Sequence, residues 1–281
     1  MNQATLFPFL YFLFFISGCG GIQERSDAAT SLAAANTFEK TIIKTDSFRL
    51  LTYQRINNKS ETASIYIEGD GYAFAGRHRV SPNPTPKNPV SLKLAIQDKS
   101  PRVFYIARPC QFVPLKHEPL CSPEYWTTKR YAPEIVEAIN SAIDQLIKKE
   151  NISKIRLVGY SGGGTIAALI AARRTDVQDL RTIAGNLDIR AFVLEHDVTP
   201  LSGSLNPTAF AKSLASVPQR HFIGNEDKIV TQNITKSYVT ALRQFDSKMS
   251  CIEIRIIEKV SHAKGWEDVW RDIHQELVAC K

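Results

Sequence analysis

Several chemistries are missing from this sequence. It has no CxxC pair, no HxxxH spacing and no acidic loop of the calcium-binding kind, so neither a metal nor any other cofactor is expected. No basic segment is interleaved with stacking aromatics. The net charge of +7, from 35 basic and 28 acidic residues, is spread along the chain, with only short clusters such as Arg77-His78-Arg79 and Arg173-Arg174. Such a distribution predicts no nucleic-acid partner and only weak adhesion to anionic surfaces. The sequence shows no internal repeat, and its 281 residues, 43% hydrophobic and 22% charged, are too apolar for disorder and long enough for one large core. The apolar run Leu6 to Ile16 is too short to cross a bilayer of roughly 30 Å as a helix and has the size of a secretory h-region.

That run ends in Ile16-Ser17-Gly18-Cys19, which resembles the bacterial lipoprotein cleavage box. The resemblance implies removal of a signal peptide, residues 1–18, and a lipid on Cys19 that anchors the chain to a membrane of the cell envelope, facing away from the cytoplasm. Residues 1–18 carry no Lys or Arg, so the positive n-region rests on the terminal amine. Residues 19–36 are small and polar without an apolar period, which predicts a flexible tether, with the folded domain over residues 37–281. Four further cysteines, Cys110, Cys121, Cys251 and Cys280, are an even number for an oxidising compartment. Three pairings are possible. Local closure favours Cys110 with Cys121 and Cys251 with Cys280, each adding roughly 3 kcal/mol.

Along the remaining chain, short apolar runs alternate with amphipathic stretches. Ser64–Ile67, Val103–Ile106, Ile155–Val158 and Phe222-Ile223 read as strands buried on both faces. Ile135, Ile139, Ile143 and Leu146 repeat at helical spacing after Pro133, and Ile234, Tyr238, Ala241 and Phe245 form a second stripe. The alternation Ile252, Ile254, Ile256 predicts a half-exposed strand, and Trp266, Val269, Trp270 and Ile273 a closing helix. Pro82, Pro84, Pro86 and Pro89 make 80–90 a loop or lid. Repeated βα units predict an α/β fold with a mainly parallel sheet.

One segment carries chemistry. Gly159-Tyr160-Ser161-Gly162-Gly163 is a G-x-S-x-G between a predicted strand and an Ala-rich helix. A serine on so sharp a turn needs neighbours without Cβ atoms, and the helix N-terminus directs N–H groups at developing negative charge. Serine also needs a base, and the base needs an acid. This turn resembles the nucleophile elbow of α/β-hydrolase fold serine hydrolases. Their order of Ser, acid, His excludes His78 and His117, which precede Ser161. Of the rest, His262 lies in a loop after a strand, where such sites collect. Asp227, just past another strand, looks like the acid of the family, with Glu226 and Asp188 as alternatives. The loop Ile67-Glu68-Gly69-Asp70-Gly71 stands where the family has its His-Gly oxyanion turn, with Glu68 in place of His. It points to the amide of Asp70, or else Gly71, as partner to Gly162 in an oxyanion hole.

The resemblance runs from about Thr41 to His274 and implies helices on both sheet faces with a small cap or none, since Asn186 to Phe210 holds no long amphipathic helix. The implied activity is a carboxylesterase or lipase-like hydrolase acting on a small-molecule or lipid ester. A peptidase or acyltransferase would use the same triad, and a non-catalytic envelope-binding lipoprotein would keep the fold without turnover. Arg108, at the end of a predicted strand, reads as half of a structural ion pair rather than a substrate contact.

Overall fold

The computed structural model describes residues 20–76, 78–248, 251–275, 278 and 280. The proposed signal segment and Cys19 lie outside them. In chain order the elements are α1 (Gly20–Ala35), β1 (Glu39–Lys44), β2 (Arg49–Ile56), β3 (Thr62–Ile67), β4 (Phe74–Gly76), β5 (Arg79–Val80), α2 (Val90–Gln97) and β6 (Arg102–Ile106). Then come α3 (Pro133–Glu150), β7 (Lys154–Tyr160), α4 (Gly162–Ala171), β8 (Val177–Ile183), α5 (Ile189–His196), α6 (Ala211–Leu214), β9 (Gln219–Gly224), α7 (Gln232–Arg243), β10 (Ile252–Ile257) and α8 (Trp266–Ile273).

Eight strands form one sheet in the order β1-β2-β6-β3-β7-β8-β9-β10. From β6 to β10 the strands run parallel, while β1 and β2 are antiparallel additions at one edge. Side-chain alternation separates two cores. Ile65, Ile67, Phe104, Ile106, Ile155 and Leu157 face α3, α4 and α7. Tyr53, Tyr66, Tyr105, Val158 and Phe222 face α1, α2 and α8. On the second side Trp270 of α8 lies edge-on to Tyr66 and Phe222, at 6.3 and 5.3 Å between ring centres, and donates its indole N–H to the Tyr66 hydroxyl at 3.2 Å. The fold is the mainly parallel α/β architecture that the βα alternation implies, with helices on both faces.

The expected tether is corrected. Residues 20–35 are helical rather than a flexible tether. Alanines are the reason: they have the best helix propensity, and their small side chains let the helix lie close against the sheet. Ala29 and Ala33 are buried with Leu51, Tyr53 and Val90, although no broad apolar stripe advertises it. Thr30 Oγ1 and the Tyr53 hydroxyl are 2.9 Å apart, and Arg25 donates to the carbonyl of Thr85 at 3.1 Å.

Two disulfides are present, Cys110–Cys121 and Cys251–Cys280, the pairing that local closure favours. The second joins the start of β10 to the chain beyond α8. The proline-rich loop 81–89 is ordered by its own side chains: Ser81 Oγ donates to the Asn83 carbonyl, Asn83 Oδ1 accepts from the Thr85 amide, and Trp126 donates its indole N–H to the Ser81 carbonyl. Among the described residues no helix is long and apolar enough to cross a membrane.

Candidate active site

The site forms where β3, β7, β9 and β10 end. Ser161 follows β7 and has φ 52° and ψ −122°, a left-handed conformation that a residue with a side chain adopts only when its surroundings impose it. Glycines impose it here. A Cβ on Gly159 would lie 2.3 Å from the Gly163 carbonyl oxygen, and one on Gly163 would lie 2.3 Å from that of Ile67. The elbow is therefore closed by backbone against backbone. Beyond it, α4 is buried along its whole length, which fixes the position of its N-terminus below Ser161.

His262 and Asp227 arrive from two later loops. Ser161 Oγ lies 3.0 Å from His262 Nε2, and His262 Nδ1 lies 2.9 Å from Asp227 Oδ2. In the tautomer with its proton on Nδ1, the imidazole donates to the carboxylate and accepts from the serine. Asp227 is itself held, because its Oδ1 accepts from the amides of Ile229 and Val230 at 2.8 and 2.9 Å. The carbonyl of His262 accepts from the Tyr160 hydroxyl at 2.9 Å and from the Trp266 indole at 3.0 Å. Burial pushes the Tyr160 phenol well up, so that hydroxyl keeps its proton to donate. The Asp227 side chain is fully buried and that of His262 is 15% exposed, leaving the imidazole within reach of a solvent proton.

The alternative acids have other positions. Asp188 caps α5, accepting from the amides of Arg190 and Ala191, from Asn206 Nδ2 and from Ser237 Oγ. Glu226 is exposed on the turn beside Asp227. Three of the other histidines are also placed. His221 is buried in β9 against Thr182 Oγ1 at 2.8 Å, and burial drives its imidazole down to about 3. His274 packs on Trp270, and His196 stands 2.7 Å from the Ile229 carbonyl oxygen.

Opposite the elbow lies the loop after β3. Gln111 donates its side-chain amide to the Gly69 carbonyl at 3.0 Å. In a trans peptide the C=O and the following N–H point in opposite directions, so this bond turns the Asp70 N–H away from Gln111. Gly71, at φ 71°, lets the loop close on Pro84, whose carbonyl oxygen would be 2.1 Å from an added Cβ. The Asp70 carboxylate is clamped by Arg108 at 3.1 Å, Arg130 at 2.9 Å and the Tyr131 hydroxyl at 3.0 Å. Desolvation favours protonating this carboxyl, but the Arg130 and Arg108 guanidiniums outweigh it and hold its pKa below the usual value. The clamp also touches the elbow: a Cβ on Gly162 would meet Asp70 Oδ1 at 2.0 Å and the Tyr131 oxygen at 2.7 Å. Arg108 is thus a structural ion pair, as its place at the strand end predicts, and it also bonds the Arg130 carbonyl.

Glu68, the residue standing where the family has His, is buried behind the loop. Burial raises its carboxyl to about 7, against hydrogen bonds from the Gly69 amide, the Tyr105 hydroxyl and the Ser91 amide. Arg130, Tyr131 and Gln111 were missed by sequence reasoning. Their only local signal is proximity to the Cys110–Cys121 loop, which does not say what they face.

Between the two halves is a cavity of about 450 Å³. Ser161, His262, Asp70 and Gly71 border it on the reacting side, and Tyr72, Phe74, Val90, Phe192, Ile229 and Val230 give it apolar walls. Phe192 comes from α5, the two-turn helix that is the main regular element between Asn186 and Phe210.

A family model described as "Serine hydrolase (FSH1)" matches residues 104–250, which is 147 of the 281 residues. The match includes Ser161 and Asp227 and stops before His262. No curated protein matches the chain in sequence. Among solved structures, an α/β serine hydrolase homologue from Coxiella burnetii superposes with a TM-score of 0.58 at 16% identity, over 85% of this chain and 95% of that one. Est1E from Butyrivibrio proteoclasticus gives 0.56 at 13% identity, covering 83% and 94%. An acylaminoacyl peptidase from Pyrococcus horikoshii gives 0.56 at 12%, covering 80% of this chain but 38% of that protein. At such identities these likenesses establish the fold, and the family match carries the class of enzyme: this chain belongs to the FSH1 serine hydrolase family, within the α/β-hydrolase fold.

Proposed function

We propose that this hydrolase cleaves a carboxylic ester through an acyl-enzyme on Ser161, with His262 as the base and Asp227 as the acid that orients it. One observation carries the reading: Ser161, His262 and Asp227 are linked by hydrogen bonds of 3.0 and 2.9 Å at the floor of an apolar-walled cavity. Ser161 Oγ attacks the ester carbonyl carbon as its proton passes to His262 Nε2. The carbonyl oxygen becomes an oxyanion that the backbone amides of Gly162 and Asp70 would stabilise. The imidazolium, stabilised by Asp227, then protonates the departing alkoxide, and the alcohol leaves. Water repeats the sequence: His262 takes its proton, the hydroxide adds to the acyl carbon, and Ser161 recovers its proton as the acid is released.

Esters are favoured over peptides by the cavity walls, which present aromatic and aliphatic side chains to an acyl group. A Pyrococcus furiosus esterase is also among the solved structures whose fold this chain resembles. We further propose that Cys19 carries lipid and anchors the enzyme to a bacterial envelope membrane outside the cytoplasm, facing the periplasm or the cell surface, as the sequence Ile16-Ser17-Gly18-Cys19 implies. The test is fluorophosphonate labelling mapped by peptide mass, beside turnover of a nitrophenyl ester series. Label on Ser161 and ester turnover, both lost in Ser161→Ala, is the expected result. A folded protein that takes no label overturns the triad, and one that labels but cleaves only peptides overturns the substrate class.

A further inference from the structure

The first helix begins at the rim of the catalytic cavity. Arg25 of α1 donates to the Thr85 carbonyl at 3.1 Å, and its guanidinium lies 5.0 Å from the ring centre of Tyr72. Tyr72 borders the cavity and also receives Lys87 Nζ at 4.0 Å on its ring. Further along, Thr30 meets Tyr53 on β2. The helix axis therefore runs from the reacting end of the sheet downward, with Gly20 at the reacting end. At 1.5 Å per residue, Gly20 stands about 8 Å from Arg25, and the next residue is Cys19. An anchor on residue 19 has no tether to swing on.

The same rim carries exposed apolar side chains. Phe74 on β4 is 42% exposed and its neighbour in register, Val80 on β5, is 39%. On α5, whose Phe192 borders the cavity, Leu194 is 71% exposed; Val198, just beyond that helix, and the cavity-lining Ile229 are 42% and 50% exposed. These five are half of the exposed large hydrophobics among the described residues. Arg79 at the hairpin and Lys87 at the rim are exposed cations, against Glu195 and Asp197 on the α5 side. An apolar ring with basic side chains on the anchored side has the character of a surface that rests in the headgroup region of a bilayer.

We infer that this rim docks on the lipid leaflet to which residue 19 is fixed, so that the cavity opens onto the membrane and takes its ester from a lipid. The inference rests on the reading of Cys19 as the anchor, and it narrows the substrate class to esters held in the leaflet. It places Phe74, Val80 and Leu194 in the lipid and leaves α3 and β10 in water.

The chain from Cys19 onward, coupled at that thiol to a maleimide-headgroup lipid, supplies the anchor whether or not a cell does. On vesicles of phosphatidylcholine and phosphatidylglycerol, amide exchange in segments 72–80 and 190–198 is expected to slow relative to the lipid-free chain, with α3 and β10 unchanged. Vesicle-bound protein with unaltered exchange in both segments overturns the docking. A Val80→Asp, Leu194→Asp double variant, which changes no cavity-lining residue, is expected to keep its turnover of a water-soluble ester and to lose about tenfold on a vesicle-borne one. Equal loss on both substrates, or on neither, rejects the leaflet as the source of substrate. Intact mass of the chain recovered from membranes tests Cys19 separately: an unmodified thiol removes the anchor reading while the coupled protein still reports the docking. Likewise, absence of ester turnover leaves the exchange measurement standing.

Discussion

The two halves of the reaction centre are built by different forces. Ser161 is held by exclusion, because backbone packs on backbone at Gly159 and Gly163 with no room for a methyl group. The loop of Asp70 is held by charge, through two guanidiniums and a phenol on one carboxylate and an amide on the Gly69 carbonyl. Exclusion acts between chain neighbours at Gly159, against Gly163 and Gly164, and across the sheet at Gly163, against the backbone of Ile67 and Glu68. An ion cluster is gathered from anywhere that can reach. The first half tolerates no added volume and is indifferent to pH, whereas the second depends on partners that a single substitution can strand.

The sharpest way to break the comparison is to remove the group that joins the halves to chemistry. His262→Ala should lower kcat by about a million-fold and abolish fluorophosphonate labelling, with the thermal unfolding midpoint little changed. On the steric half, Gly159→Ala sets a Cβ 2.3 Å from a carbonyl oxygen and should cost about 3 kcal/mol of stability, read by urea unfolding, with turnover lost in step with folded protein. Asp70→Asn, on the electrostatic half, keeps the backbone amide but leaves Arg108, 4% exposed, and Arg130, 12% exposed, without their counter-charge. It should lower kcat some 10- to 100-fold with KM nearly constant, and destabilise the fold by about 3 kcal/mol. Label should still reach Ser161, only more slowly; complete loss of label would mean that the two halves are not separable.

The smallest effect is on pH dependence. Glu68 titrates at about 7 in the fold against 4.5 for the free group, so its contribution to stability declines as pH rises from about 4.5 to 7. His221, lowered to about 3, acts the other way: stability is present above its ordinary 6.5 and is lost as pH falls towards 3. Between pH 4.5 and 6.5 the two slopes oppose each other. Glu68→Gln should remove one of them, so that the unfolding free energy of the variant falls by about 1 kcal/mol per pH unit on acidification through that window, while the unaltered chain stays nearly level. Urea titrations at several pH values distinguish the two.

Much of this was legible in the residues. The elbow could be read because its requirements are local: a strand, two glycines around a serine, and a helix whose alanines bury on all sides. Asp227 and His262 could be nominated from their place after strands and from chain order, which the α/β-hydrolase resemblance fixes. The clamp could not be read. Asp70, Arg108 and the pair Arg130-Tyr131 are far apart in sequence, and although Asp70 and Arg108 drew attention singly, nothing in the residues says that they meet. The first helix was misread for a related reason. Its sequence of small and polar residues carries little amphipathic signal, and only the flat surface around Tyr53 and Val90, assembled from β2 and α2, gives its alanines something to pack on.

By itself the sequence determined the period of the central strands and of α3, α7 and α8, the turn that strains Ser161, and the supply of one nucleophile, one base and candidate acids in a fixed order. Those follow from local sterics and from hydrophobic alternation, which act between near neighbours. Tertiary structure alone decided that Asp227, not Asp188, reaches His262, that a carboxylate with two arginines steadies the Asp70 loop, and that α1 starts beside the mouth of the cavity. These are matters of which distant segments meet, and burial chooses the meeting only when the whole sheet has formed.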